Sequence, residues 1–309
     1  MKYQNNGDHY EFEKFAALAQ RTFQVTEVQL VILGERSTHA YKSGHFEKAH
    51  SLIAKYESFL SQAYTKDYLL FIFRAAYAKS AISRAEGNYQ KSYAIARQGL
   101  QLVEMVPAGI LVAWFYTHVA IVEKRLSQQT KEEAERVSLV QSAMDHCIKA
   151  LQHAKTSTVE QEFSNTVADT QQRIHIYRAI TLLGDFATGA NFRKATPSNI
   201  KAAETDLSVC DRLILQGFKE TKYRKIYHLL ALSDLVLCQW WQQRQQQIED
   251  DSCETPYLLK EAFDYATEAK ELSTKFHFQE LTNSARYRLA VIIEIMLKLK
   301  VSRLCLNND

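Results

Sequence analysis

AYKSGHFEKAHSLIAKY at residues 40–56 and SRAEGNYQKSYAIARQG at residues 83–99 decide how this chain reads, because they are two copies of one local device. In each, a helical run ends at a Gly, an aromatic follows two residues later, and a small residue comes three further on. Gly44, Phe46 and Ala49 fill those places in the first copy, and Gly87, Tyr89 and Ser92 in the second. The two glycines lie 43 residues apart, a period that signals stacked helical repeats. Gly at the helix end takes the left-handed conformation that closes the helix. The aromatic can fill the space between the two helices of a hairpin, and the small residue lets their backbones approach. One such hairpin cannot bury its apolar face alone, so neighbours must stack on it.

The pattern extends outward from these two copies. Ser92 is followed at four and seven residues by Ala96 and Gly99, and Ala49 by the bulkier Ile53 and Tyr56. The same four-and-seven spacing returns in Ala143, Cys147 and Ala150, in Ala203, Leu207 and Cys210, and in Ala262, Ala266 and Ala269. Each triad reads as the buried side of the second helix of a hairpin. The run G-x-aromatic-x-x-small with small residues four and seven further on resembles the second half of a tetratricopeptide repeat. That resemblance implies an all-α fold, a right-handed superhelix or solenoid of about five to six antiparallel helix hairpins. The later triads lie 51, 60 and 59 residues apart, longer than the 34 of the family, which implies longer helices or larger loops.

Composition agrees. Only 9 Gly and 3 Pro occur in 309 residues, far below the usual shares of about 7% and 5%, which favours long helices with few turns. The 38 basic and 35 acidic residues are interspersed and the net charge is only +3, so no nucleic-acid stripe is expected. Cys147, Cys210, Cys238, Cys253 and Cys305 are odd in number and widely spaced, and the opening residues do not read as a secretory signal. Reduced thiols in a cytoplasmic protein are the simplest expectation. No apolar run approaches the roughly 18 residues of a membrane span.

One continuous repeat domain is expected over residues 1–300, with residues 301–309 as a C-terminal tail. Residues 8–24 read as an amphipathic helix, with Asp8 as its cap and Phe12, Phe15, Leu18 and Ala19 on one face. Residues 279–300 read as a closing helix. Polar stretches at 127–135, 187–199 and 242–256 read as loops. Thr196 and Thr255 are natural caps for helices that begin at Pro197 and Pro256.

Chemistry-bearing motifs are scarce. Glu47 and His50 form one E-x-x-H pair, but a di-iron bundle needs a second pair and further carboxylates. His146 and Cys147 are adjacent on a helix and point about 100° apart, so they are poorly placed to share a metal, and His153 adds no recognised spacing. No phosphate loop, dinucleotide fingerprint or nucleophile elbow is present. Neither an enzyme nor a cofactor or metal is expected. Trp240 and Trp241 cannot both face one core.

The resemblance also implies a binding face, because the first helix of each hairpin in that family lines a concave groove. Carried onto this sequence, the groove takes Tyr41 and Lys42 from the first unit and Arg74, Tyr77 and Arg84 from the second. The third supplies Trp114, Thr117, His118, Lys124 and Arg125. Cations and aromatics on such a face suit a peptide or helix of a partner protein, an acidic one above all. A scaffold or adaptor for protein binding is therefore the leading expectation. The alternatives are a self-associating or autoinhibitory regulatory domain, homo-oligomeric in the first case, and a helical small-ligand sensor or enzyme.

Overall fold

The computed structural model describes residues 9–62, 65, 67–107, 109–155, 164–184, 195–246 and 255–306. Among them the protein is all-α. The helices are α1 (His9–Thr22), α2 (Thr26–Lys42), α3 (Phe46–Gln62), α4 (Tyr68–Ala85), α5 (Tyr89–Leu100), α6 (Ile110–Gln129), α7 (Glu133–Lys155), α8 (Ser164–Leu183), α9 (Pro197–Leu215), α10 (Lys222–Gln246), α11 (Thr255–Lys275) and α12 (Gln279–Leu306). The chain divides into two compact units, Met1–Ile174 and His175–Asp309.

The glycine device closes the helices as its chemistry requires. After α2 the His45 N–H donates to the Ala40 carbonyl at 2.8 Å and the Gly44 N–H to that of Tyr41 at 3.0 Å, with Gly44 at φ 80°. After α4 the same nested pair joins Asn88 to Ser83 and Gly87 to Arg84, with Gly87 at φ 81°. The turn after α9 repeats it through Gly217, and the turn after α11 through His277, a non-glycine residue at φ 57°. These bonds satisfy the last helical carbonyls and reverse the chain. Helix starts are capped locally: Asn88 Oδ1 accepts from the Lys91 N–H, and Thr196 Oγ1 accepts from the Asn199 N–H just before Pro197.

In the first unit α2 and α3 run antiparallel, since Ser37 meets Ala49 while Gly34 lies against the Tyr56 ring. α4 and α5 pair likewise through Ser80 and Ser92, and α6 and α7 through Tyr116, which stacks on both His146 and His153. Alternate helices run parallel, with Phe73 of α4 against Phe115 of α6 and Tyr77 against His118. Gly99 of α5 sits so close to α6 that a Cβ there would lie 2.3 Å from the Phe115 ring, so this place admits no side chain. The second unit repeats the arrangement. Ser233 of α10 meets Ala262 of α11, and α12 runs beside α10, with Phe278 just before α12 against Tyr223 and Arg288 of α12 on Asp234.

The core follows the triads. Ala49, Ile53 and Tyr56, Ser92 and Ala96, Ala143, Cys147 and Ala150, Ala203, Leu207 and Cys210, and Ala262, Ala266 and Ala269 are all buried. Larger side chains such as Leu30, Ile82, Phe115, Ile174, Ile226 and Phe278 pack beside them, each burial contributing about 1.5–3 kcal/mol before entropy. Trp240 is buried and Trp241 only half-buried, as their adjacency demands.

Several expectations are corrected. The turn expected at 127–135 shrinks to residues 130–132, because α6 continues through Gln129 and α7 begins at Glu133; Gln and Glu are good helix formers. α10 likewise runs to Gln246, into the stretch expected to be a loop, and α12 continues through Leu306. On α1, Phe12 and Ala16 face inward whereas Phe15 and Leu18 are exposed, so the expected apolar face is split between two sides. Asp8, Cys253 and most of the expected loop at 187–199 lie outside the described residues.

Candidate functional site

The residues expected to bind lie on α2, α4 and α6 of the first unit, and the start of α8 packs beside those of α4 and α6. At their centre is a hydroxyl cluster. Ser80 Oγ donates to the Ser92 carbonyl at 2.8 Å, and Ser92 Oγ donates to the Ser80 carbonyl at 2.7 Å, so each serine clamps the other helix's backbone. With its proton so used, Ser80 Oγ accepts from His118 Nε2 at 2.8 Å, which fixes the neutral Nε2–H tautomer of His118. Burial first, and then the Arg84 and Arg173 guanidiniums, hold the His118 pKa well below its ordinary 6.5. A Ser–His contact of this length is the spacing of a nucleophile and its base. Here the surrounding cations disfavour the imidazolium that a general base must become, and both groups are sealed from solvent.

Around this cluster the aromatic residues gather. The Tyr77 and His118 rings meet edge to face with their centroids 5.2 Å apart, and the Tyr77 hydroxyl accepts from Arg173 Nη2 at 3.3 Å. Trp114 Nε1 donates to Thr170 Oγ1 at 2.8 Å. Arg173 and Thr170 both belong to α8, so α4, α6 and α8 converge on one side of the unit although other helices separate them in sequence. Arg74, one turn before Tyr77 on α4, lies 3.7 Å from Glu35 of α2.

The other expected groove residues divide by burial. Thr117 and His118 lie inside the unit, and the Thr117 hydroxyl is used on the Ala113 carbonyl. Tyr41, Arg84 and Lys124 are buried, while Lys42, Arg74, Tyr77, Trp114 and Arg125 are half-buried. The structure thus brings Arg74, Tyr77, Arg84, Trp114 and His118 into one neighbourhood and places Thr117 and His118 behind its surface. Among the repeat residues, Ala49 and Ser92 are buried, while Phe46 and Tyr89 are half-buried at the hairpin mouths.

Sequence reading missed a second polar cluster. Glu123 of α6 is 1% exposed and accepts from Ser142 Oγ at 2.8 Å and from His146 Nδ1 at 2.7 Å. It stands 43 residues after Ser80, which itself stands 43 after Ser37, so the repeat step locates it. In the second unit Asp206 receives His175 Nδ1 at 2.8 Å and Arg178 Nε at 2.7 Å, and Asp234 receives Arg288 through both oxygens at 2.6 Å. These carboxylates tie helices together. His50, of the E-x-x-H pair, lies 2.7 Å from Glu86, while Cys147 packs between Ala143 and Ala150. Among the described residues no group of three or more His, Cys, Asp or Glu is arranged to hold a metal ion. No helix among them is long and apolar enough to cross a membrane.

No protein-family model matches the chain, and no curated protein matches it.

Proposed function

We propose that the hairpins of each unit form a tetratricopeptide-like right-handed superhelix, and that the first unit binds a peptide or helix of a partner protein. The bound segment lies on the side where α4, α6 and α8 converge. One observation carries this reading: two guanidiniums, Arg84 and Arg173, stand close enough to His118 to add to the effect of burial on it, beside the aromatic rings of Tyr77 and Trp114. Positive potential over half-buried aromatics favours a ligand that offers carboxylates and apolar side chains together. An acidic segment, or one ending in a free carboxylate, has that chemistry. The role is that of an adaptor.

Fluorescence polarisation tests it with three labelled peptides: an acidic one with a free C-terminus, its amidated form, and a basic counterpart. The acidic peptide is expected to bind, more weakly at high salt, and Arg74→Glu combined with Arg84→Gln is expected to weaken it about tenfold or more. Thermal unfolding of the variant controls for loss of fold. Equal binding of acidic and basic peptides, or full affinity in a folded variant, overturns the electrostatic reading.

A further inference from the structure

α1 is fastened to the first unit differently from the hairpin helices behind it. On α3 the side chains of Ala49, Leu52, Ile53, Tyr56 and Leu60 are buried, whereas on α1 only Phe12 and Ala16 are buried among the described residues. The Phe12 ring lies 4.6 Å from that of His39 on α2. The rest of the hold is polar. Glu13 Oε2 accepts from Arg36 Nη2 of α2 at 3.0 Å and lies 3.3 Å from Lys48 Nζ of α3, so one carboxylate ties α1 to both helices of the first hairpin. Arg36 Nη1 also donates to Gln20 Oε1 at 2.9 Å. Near the turn into α2, the Gln29 amide donates to the Gln20 carbonyl at 2.8 Å and to that of Phe23. Glu13 Oε1 and Arg36 Nε are buried and reach no hydrogen-bond partner among the described residues. Each such atom weakens the docked state against a detached one, in which water reaches it.

We propose that α1 is a strap that detaches from α2 and α3 as one piece, hinged at residues 23–25, while the hairpins stay folded, and that Glu13 is its latch. Two buried apolar side chains contribute too little to hold a 14-residue helix in place against the entropy of releasing it. The charged contacts must supply the difference. Burial works to raise the Glu13 pKa, but Arg36 and then Lys48 outweigh it and hold the carboxyl below its ordinary 4.5, so the ionised latch is a net attraction. Arg36 carries most of it, because Lys48 is the more exposed of the two cations. The neutral bonds of Gln29 sit at the hinge and those of Glu13 toward the other end of the helix, so the strap opens from its N-terminal end. Released, it uncovers the Arg36 guanidinium, the His39 ring and the Lys48 ammonium together, the seat that Glu13 and Phe12 otherwise fill. This device does not rest on the peptide-binding role proposed for α4, α6 and α8.

Hydrogen–deuterium exchange of the full chain at constant neutral pH, read by mass spectrometry on peptides from residues 9–22, α4 and α6, tests it. Residues 9–22 are expected to exchange through an opening that leaves α4 and α6 protected. Raising sodium chloride from about 20 mM to about 1 M speeds their exchange about fivefold or more and leaves α4 and α6 unchanged. Glu13→Gln gives the same acceleration at low salt and loses most of the salt response. Phe12→Ala also speeds exchange but keeps the salt response, because it removes apolar contact and leaves the latch in place. Unchanged protection of α4 and α6 shows in each variant that the hairpins remain folded, and the salt series on the parent chain needs no variant at all. Residues 9–22 that exchange only in step with α4 and α6 overturn the strap. A rate indifferent to salt, or a Glu13→Gln variant that exchanges like the parent chain, overturns the latch.

Discussion

The α2–α3 and α4–α5 hairpins carry matching residues at the same step, yet they are joined very differently. Ser37 donates once, to the Ala49 carbonyl at 3.3 Å. Ser80, in the same place, exchanges hydroxyl-to-carbonyl bonds with Ser92 and also receives His118. The third member of the series, in α6–α7, is a buried carboxylate, Glu123, held by Ser142 and His146. One geometric slot between two helices therefore accepts a hydroxyl, a hydroxyl pair or a hydrogen-bonded carboxyl group. The repeats share how closely the backbones approach; what fills the gap is free to vary provided it is hydrogen-bonded.

The sharpest way to break this comparison is at the charged member. His146→Leu leaves Glu123 buried with Ser142 as its remaining donor, and it is expected to cost about 3–5 kcal/mol in chemical denaturation. Replacing both partners by leucine is expected to recover most of that loss, because no buried charge then remains. A double variant as unstable as the single one would show that Glu123 acts through contacts other than His146. Next comes Ser80→Ala. It removes the acceptor for His118 Nε2–H, a fully buried donor, and is expected to cost about 1–3 kcal/mol.

How much of this was legible in sequence follows from what each pattern encodes. The small triads at four-and-seven spacing locate buried second helices because only close backbone approach requires small residues there. Gly44 and Gly87 locate turns because a left-handed residue is needed at both. Glu123 lies on the same 43-residue step, but Glu is a surface residue by habit, and its burial depends on a histidine one helix away. α1 shows a different limit. An apolar arc spanning Phe12, Phe15, Leu18 and Ala19 states that a helix is amphipathic, but the side that meets α2 was settled by Arg36, which reaches Glu13 and Gln20 across the junction. The convergence at Tyr77 was invisible because Arg173 lies 96 residues further along the chain. The loop expected at 127–135 failed because Gln and Glu, polar enough for a loop, are equally at home in a helix.

His118 separates the second hairpin from the first in a pH-dependent way. In the unfolded chain it titrates near its ordinary 6.5, whereas in the fold burial and the neighbouring Arg84 and Arg173 hold it well below that value. Below about pH 6.5 the unfolded state therefore binds a proton that the folded state refuses. Stability falls as the pH drops, with a slope approaching about 1.4 kcal/mol per pH unit, until the folded pKa is reached. Denaturation measured between about pH 7 and pH 5 should show this slope flattened in His118→Gln relative to the parent chain. An identical slope in both would place the proton uptake at other groups.

The smallest effect is the most discriminating for the shared slot. Ser37→Ala deletes one long bond, and the Ala49 carbonyl it leaves still has its own helix's N–H to accept, so the expected cost is only about 0.5 kcal/mol. Ser233, which occupies the matching junction of α10 and α11, also makes one bond, to the Ala262 carbonyl, but at 2.8 Å. If bond length sets the cost, Ser233→Ala falls between Ser37→Ala and Ser80→Ala, near about 1 kcal/mol. If the number of partners sets it, Ser233→Ala matches Ser37→Ala. Urea denaturation of the three alanine variants decides between them. Equal costs at all three would mean that the hydroxyls merely fill the gap, and that the close approach of the helices rests on their apolar packing.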